Sequence, residues 1–363
     1  MGIEDKLQQL QEKLEETPVN KATETERARL KARIAELEEE QEQRAKETGG
    51  GGGGYAVEKK GDATVALVGP PSVGKSTLLN AVTNADSETG SYEFTTLDVV
   101  PGMLQYRGAN IQLLDVPGLI GGAAEGRGGG KQVLSVVRNA DLVLMMTSPD
   151  RLDGFEKMEQ ELHDAGIRLD AEPPRVKVTE TDGGGLDVSS TVDQTRLDMA
   201  TIEEVLQERG LVNASVTLRE DLTLDRLVDA VSNNREYLPS VKAINKTDEL
   251  DDGEQADLAD RFPGAVFCSA ATGDGLDDLK EAVWDALGVM RVYMKKPGKD
   301  PDRDEPLIVE KGSTVRDVMN TLAGDFDRFK DARIWGDSAD FPEQRVGADH
   351  VLQDEDVVEL RTR

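Results

Sequence analysis

Gly69-Pro70-Pro71-Ser72-Val73-Gly74-Lys75-Ser76 fits G-x-x-x-x-G-K-[ST], the pattern of a phosphate-binding loop. Its flanks supply the context that the pattern needs. Ala63-Thr64-Val65-Ala66-Leu67-Val68 is a short apolar, β-branched run and predicts a buried strand. Thr77-Leu78-Leu79-Asn80-Ala81-Val82 predicts the start of a helix. A strand–turn–helix of this kind aims backbone N–H groups and a helix N-terminus at one anion. Gly69 and Gly74 let the backbone approach phosphate closely. Lys75 is placed to reach the β- and γ-phosphates, and the Ser76 hydroxyl to ligate Mg²⁺. Ser72, Val73, Gly74, Lys75, Ser76 and Thr77 are the candidate phosphate-binding residues, and a chance Gly/Lys/Ser turn is disfavoured between a strand and a helix.

Further motifs follow in an order that carries more information than any one of them. Tyr92-Glu93-Phe94-Thr95-Thr96-Leu97 lies after the first helix, where a nucleotide switch uses a threonine to hold Mg²⁺ and the γ-phosphate; Thr96 is that candidate. Asn110-Ile111-Gln112-Leu113-Leu114 predicts a strand that runs into Asp115-Val116-Pro117-Gly118, a D-x-x-G pattern. Asp115 is placed to hold Mg²⁺ through water, and the Gly118 N–H to sense the γ-phosphate. The glycine-rich stretch from Gly121 to Lys131 can order around a γ-phosphate and relax after its loss. Asp141-Leu142-Val143-Leu144-Met145-Met146 and Val241-Lys242-Ala243-Ile244 read as buried strands. The second leads into Asn245-Lys246-Thr247-Asp248, an N-K-x-D pattern. Asp248 can accept the N1–H and N2–H of guanine, Lys246 can lay its stem along the ring, and Asn245 can tie this loop to the phosphate loop. Ala265-Val266-Phe267-Cys268 predicts a last strand before Ser269-Ala270-Ala271, where a backbone N–H can meet guanine O6. Lys75, Thr96 and Gly118 are the candidate catalytic groups. Ser76, Thr96 and Asp115 are the candidate metal ligands.

The chain has 363 residues, a formal net charge of −29 from 72 acidic and 43 basic residues, 37% hydrophobic and 4% aromatic content. The acids are spread along the whole chain, so they form a carboxylated surface rather than a tail. Such a surface repels itself at low salt and is screened at high salt. We read it as adaptation to a salty cytoplasm. The single cysteine, Cys268, excludes an intramolecular disulfide and reads as a small buried residue. No apolar run approaches the ~20 residues that a membrane helix needs. Met1-Gly2-Ile3-Glu4-Asp5 lacks the pattern of a signal peptide, and Lys6 stands where a myristoylation site wants Ser or Thr. The expectation is a cytoplasmic protein with neither a membrane nor DNA as partner.

The remaining segments fill in around the motifs. Ile3, Leu7, Leu10 and Leu14 form a helical stripe, Thr17-Pro18-Val19-Asn20 breaks it, and Thr23 with Glu26 predicts a capping box for a second helix striped by Leu30, Ile34 and Leu37. This hairpin reads equally as a coiled-coil or solvated arm and as a docking arm for a large partner. Gly49 to Gly54 form a flexible joint that leaves it independent of the phosphate-loop domain. From Asp164 to Glu236 the pattern predicts a small α+β insertion. In it Arg175-Val176-Lys177-Val178-Thr179 and Leu186-Asp187-Val188 are joined by a hairpin turn at Asp182-Gly183-Gly184-Gly185. Nothing in it looks catalytic; His163 reads as a surface helix residue without a visible partner. From Gly288 on, alternating strands around the helix Ser313 to Leu322 suggest a separate ubiquitin-like β-grasp domain, a fold that implies binding rather than chemistry.

The chain resembles the developmentally regulated GTP-binding proteins of the Obg superfamily of translation-associated GTPases, over essentially its whole length. The resemblance rests on the phosphate loop through Leu79, Asn20-Lys21-Ala22-Thr23-Glu24, Tyr92 to Leu97, Asp115-Val116-Pro117-Gly118-Leu119-Ile120 and the glycine-rich loop that follows. Val292-Tyr293, Lys296-Pro297-Gly298-Lys299 and Arg345-Val346-Gly347-Ala348-Asp349-His350-Val351-Leu352 also carry it. It implies an α/β fold: a Ras-like P-loop GTPase domain with an N-terminal helical hairpin, an inserted small α+β domain resembling a ribosomal-protein fold, and a C-terminal β-grasp (TGS) domain. The expected boundaries are hairpin 1–48, linker 49–61, G domain 62–163 and 237–288, insertion 164–236 and TGS domain 289–363. It implies GTP and GDP as ligands with Mg²⁺, slow hydrolysis, and stimulation by K⁺. The implied partners are a ribosome or translation complex, RNA through the TGS domain, where Lys295, Lys296, Lys299 and Arg303 cluster, and a regulatory protein. Potassium-activated relatives usually carry Asn where this chain has Ser72, many relatives carry an acid where it has Gly121, and many TGS domains are basic. Two other classes stand beside this reading. One is a pure nucleotide-dependent binding switch with partner-dependent hydrolysis. The other is a small-molecule kinase, which N-K-x-D disfavours.

Overall fold

In the computed structural model the described residues are 2–48, 59–83, 99–116, 130–322 and 329–362. In chain order they form helices α1 (Ile3–Glu16) and α2 (Glu24–Thr48), strand β1 (Ala63–Val68), helix α3 (Lys75–Val82), strands β2 (Val100–Tyr106) and β3 (Ala109–Asp115), helix α4 (Gly130–Arg138), strand β4 (Leu142–Thr147) and helix α5 (Gly154–Asp164). Strands β5 (Ile167–Leu169), β6 (Val176–Glu180) and β7 (Leu186–Ser190), helix α6 (Met199–Glu208), strand β8 (Ala214–Leu218), helix α7 (Leu224–Ala230) and strand β9 (Glu236–Leu238) follow. Then come β10 (Ser240–Ile244), α8 (Asp252–Arg261), β11 (Val266–Phe267) and α9 (Leu276–Leu287). The chain closes with β12 (Val289–Met294), β13 (Leu307–Glu310), α10 (Val315–Thr321), β14 (Phe329–Trp335), β15 (Gln344–Val346) and β16 (Asp356–Thr362). These elements build two compact units, one comprising α1, α2 and Gly166–Tyr237, the other the remainder.

The second unit is organised by a six-stranded sheet in the order β11-β10-β4-β1-β3-β2. All neighbours pair in parallel except β2, which returns antiparallel to β3. Every residue of β1 and β4 is buried. That is why both read as unbroken apolar runs rather than as alternations: a central parallel strand is covered on both faces. β2 is an edge strand and tolerates Pro101, whose missing N–H costs nothing there. Gly102 in β2 lies against the end of α3, where a Cβ would come 2.6 Å from Thr83 Cγ2. The parallel registers bring the carboxyl ends of the strands to one edge, with Leu67 opposite Asp115, Val68 opposite Met145 and Ile244 opposite Thr147.

The C-terminal strands form a mixed five-stranded sheet, β13-β12-β16-β14-β15, packed on α10 around Val292, Val315, Val318, Ile334 and Val358. This is the β-grasp arrangement. Only Gly288 separates α9 from β12, and Leu287, Val289 and Ile308 pack on the core cluster that contains Trp284 and Leu142. These strands and the six-stranded sheet thus fall in one compact unit.

The first unit corrects three expectations. The hairpin is not a solvated arm: Ala28, Ala32 and Ala35 of α2 are buried in one cluster with Ile202, Val205, Leu206, Leu218 and Leu227 of the insertion. Glu39 pairs with Arg209 at 2.5 Å and Lys31 with Asp225. Alanines among charges look solvated in sequence, yet their small side chains are what lets one helix lie closely on another. Next, β6 and β7 are not a hairpin; β8 lies between them, antiparallel to β6 and parallel to β7. β8 carries Ala214, Val216 and Leu218 inward and takes the central place, while half-exposed β6 and β7 become edges. Last, Thr23 does not form a capping box with Glu26. Its hydroxyl donates to the Pro18 and Asn20 carbonyls at 2.5 and 3.1 Å, and Glu26 pairs with Lys13 across the hairpin at 2.9 Å. The α1 stripe does pack as read, with Leu7, Ile34 and Leu37 buried against Ile3, Leu10 and Leu14. Gly49 to Gly54 lie outside the described residues.

Candidate functional site

The site lies at the sheet edge where β1, β3, β4, β10 and β11 end. After β1 the chain turns through Gly69–Gly74 and enters α3 at Lys75, with Gly74 at φ 98° as the residue before the helix. Two close approaches require glycine in this turn. A Cβ on Gly69 would stand 2.3 Å from the Met146 carbonyl oxygen, and one on Gly74 would stand 2.4 Å from Asn245 Nδ2. Lys75 folds back over the loop, and its Nζ donates to the Gly69 and Pro70 carbonyls at 3.0 and 3.3 Å. Burial pushes the Lys75 ammonium below its usual range, and the nearby Asp115 carboxylate only partly offsets this. An arriving phosphate would favour the charged form of this half-buried ammonium.

Ser76 in the first turn of α3 donates from Oγ to Asp115 Oδ2 at 2.7 Å, although the two are far apart in sequence. The pair sets a hydroxyl and a carboxylate, both hard oxygens, beside the Lys75 ammonium. That donor chemistry fits Mg²⁺ held jointly with phosphate oxygens. Among the described residues no group of three or more His, Cys, Asp or Glu side chains could hold a metal alone, so the phosphates would have to complete the shell. Thr77 is exposed on α3. Thr96 and Gly118 lie outside the described residues, as do Leu119 and Gly121.

Asn245 joins the three loops. It is 2% exposed; its Nδ2 donates to the Val73 carbonyl and its Oδ1 accepts from the Ala270 N–H, each at 2.8 Å. Its own N–H donates to the Thr147 carbonyl at 2.9 Å. The buried side-chain amide thus ties the phosphate loop to the Ser269-Ala270-Ala271 turn, while the backbone of the same residue stays paired with the end of β4. Lys246 sits at φ 65° and Asp248 is exposed on the short helical turn that follows, free of the sheet and available at the rim. Ser269 is fully buried and closes its own turn, with its N–H donating to the Asp274 carbonyl and its Oγ accepting from the Thr272 N–H. Ala271 is exposed at the tip. Burial pushes the Cys268 thiol up to about 12, which leaves it an inert core residue.

Sequence reasoning missed the loop between β4 and α5. Arg151 Nη1 donates to the Pro71 carbonyl at 3.0 Å, and Asp150 is held below the usual carboxylate range by the Ser148 hydroxyl, with the charges of Arg151 and Lys246 adding. No sequence pattern marks this loop. His163, read as lacking a partner, lies 3.8 Å from Asp164 on the exposed side of α5. In the β-grasp domain Lys295 is committed internally, paired with Glu359 at 2.8 Å and stacked on Trp335, while Arg303 covers Tyr293.

Residues 64–181 match the family model described as a 50S ribosome-binding GTPase, residues 183–289 the C-terminal region of that same domain, and residues 290–362 the TGS domain. An uncharacterized GTP-binding protein of Halobacterium salinarum is 52% identical, with all of both chains covered. GTP-binding protein 1 of Schizosaccharomyces pombe is 42% identical, again over 100% of both chains. Developmentally-regulated GTP-binding protein 2 of Mus musculus is 40% identical over 99% of each chain. Together with the phosphate loop, the Ser76–Asp115 pair and the Asn245 bridge, this places the chain in the family of developmentally regulated GTP-binding proteins, with a Ras-like P-loop GTPase domain followed by a TGS domain.

Proposed function

We propose that the protein binds GTP with Mg²⁺, hydrolyses it slowly to GDP and phosphate, and acts as a nucleotide switch on the ribosome or a translation complex. The observation that carries the nucleotide part is the Asn245 bridge, which holds the base-reading loop and the phosphate loop in one buried network. In this reading Lys75 neutralises phosphate charge, and Ser76 and Asp115 would hold a Mg²⁺ ion that would supply further charge neutralisation at the phosphates. Lys246 lies along the base and Asp248 accepts its N1–H and N2–H. Glutamine just after D-x-x-G orients the attacking water in Ras-like enzymes, and this chain has Leu119 there. Leucine has neither donor nor acceptor, so the intrinsic rate stays low, on the order of one event per minute or slower. Acceleration then belongs to K⁺ or to a partner. The family model's description as a ribosome-binding GTPase supports the ribosome as that partner.

The test is single-turnover GTP hydrolysis in high potassium chloride, alone and with ribosomes, combined with co-sedimentation in the presence of a GTP analogue, GDP or no nucleotide. Expected are slow basal turnover, faster turnover with ribosomes, and pelleting that favours the analogue. Fast basal turnover that collapses in Leu119→Ala would remove the slow-switch reading. Pelleting indifferent to nucleotide would remove the ribosomal one.

A further inference from the structure

The phosphate loop contains two consecutive prolines, Pro70 and Pro71, and neither has an N–H. This part of the loop can be held only through its carbonyls. Lys75 takes those of Gly69 and Pro70. The Pro71 carbonyl goes to Arg151 Nη1, at 3.0 Å, from the loop after β4. That loop is itself fixed. Thr147, fully buried, donates from Oγ1 to the Arg151 carbonyl at 2.6 Å, the Arg151 N–H donates to the Ser148 carbonyl at 2.9 Å, and a Cβ on Gly154 would stand 3.0 Å from Pro70 Cγ.

Ser72, the next residue, sits at φ 67°, a left-handed conformation that disfavours a non-glycine residue. Rotating the Pro71–Ser72 peptide would relieve it. In a trans peptide the C=O and N–H point in opposite directions. With the Pro71 oxygen on Arg151, the Ser72 N–H points the opposite way, away from the Arg151 loop, and is free to join the N–H groups that such a loop offers to an anion. A rotated peptide would instead turn the Pro71 oxygen inward, against any bound phosphate.

We propose that Arg151 is a positioning residue that locks the Pro71–Ser72 peptide in the anion-accepting orientation and so offsets the left-handed strain at Ser72. This rests on the nucleotide reading above and adds to it a residue outside every motif. The Arg151 side chain is 43% exposed, so its removal leaves the core intact.

The test is a cycle of four proteins: the natural chain, Arg151→Ala, Ser72→Gly and the double variant, each titrated with GDP and Mg²⁺ and each checked for a cooperative thermal transition well above the titration temperature. With Ser72 present, losing Arg151 is expected to weaken GDP about tenfold, the population ratio that one left-handed non-glycine residue implies. Glycine takes positive φ freely, so in the Ser72→Gly background the same change is expected to cost less than about twofold. Equal losses in both backgrounds would mean that Arg151 acts only through its charge and would overturn the proposal, as would no loss in either. Failure of the natural chain to bind GDP would overturn the nucleotide reading itself and this inference with it, and is seen before any variant is compared.

Discussion

Removing the Asn245 side chain tests how the site is held together. In Asn245→Ala the Val73 carbonyl and the Ala270 N–H, each bonded to this amide at 2.8 Å, lose their partner inside the protein. A buried polar group left unsatisfied costs about 1–3 kcal/mol. With two such groups, and water able to enter part of the vacated space, the expected loss is about 2–4 kcal/mol. Both tryptophans, Trp284 and Trp335, lie in the unit that holds the site. Tryptophan fluorescence during urea unfolding in molar potassium chloride therefore reports on this unit. GDP titration reads the second consequence: untied loops no longer present base and phosphate contacts together, and affinity falls with stability. A stability change below about 0.5 kcal/mol, the scale of an ordinary surface substitution, would refute the bridge.

Other expectations follow from the same geometry. Asp248→Asn places an amide donor where guanine presents donors, so GDP should weaken about tenfold or more while xanthosine diphosphate gains; unchanged preference in parallel titrations would remove Asp248 from base reading. Partial burial lowers the Lys75 pKa, and a bound polyphosphate favours its charged form. Affinity should therefore be full below the free-state pKa of Lys75 and decline as pH rises through it; a pH profile identical to that of Lys75→Met would contradict this. Ala32 is fully buried between the hairpin and the insertion, so Ala32→Glu buries an unpaired charge. It should release the hairpin to limited proteolysis, at a cost of about 3 kcal/mol or more, while GDP affinity is unchanged; a resistant hairpin would refute the packing.

The parts of the fold legible in the sequence are those where backbone geometry or burial restricts residue choice. Gly69 and Gly74 stand where a Cβ would strike Met146 or Asn245, so the phosphate loop shows in its spelling. β1 and β4 are buried on both faces and read as plain apolar runs. β2 escaped notice because an edge strand can carry Pro101 and Gly102. The β6-β8-β7 order was hidden because adjacency in sequence, marked by the glycines after Asp182, outweighs in any local reading the deeper burial that makes β8 central. The face of α2 that packs on the insertion was hidden because it is built from alanine. Arg151 was invisible because its partner is a main-chain carbonyl, which leaves no trace in residue type.

Everything proposed above depends on this sheet edge being a guanine-nucleotide site. Calorimetric titration of the purified chain with GDP and with ADP, in molar potassium chloride with Mg²⁺, tests it most directly. GDP is expected to bind at least about a hundredfold more tightly, since Asp248 meets two donors on guanine and no matching pair on adenine. Equal affinity for the two, or tighter binding of ADP, would contradict it.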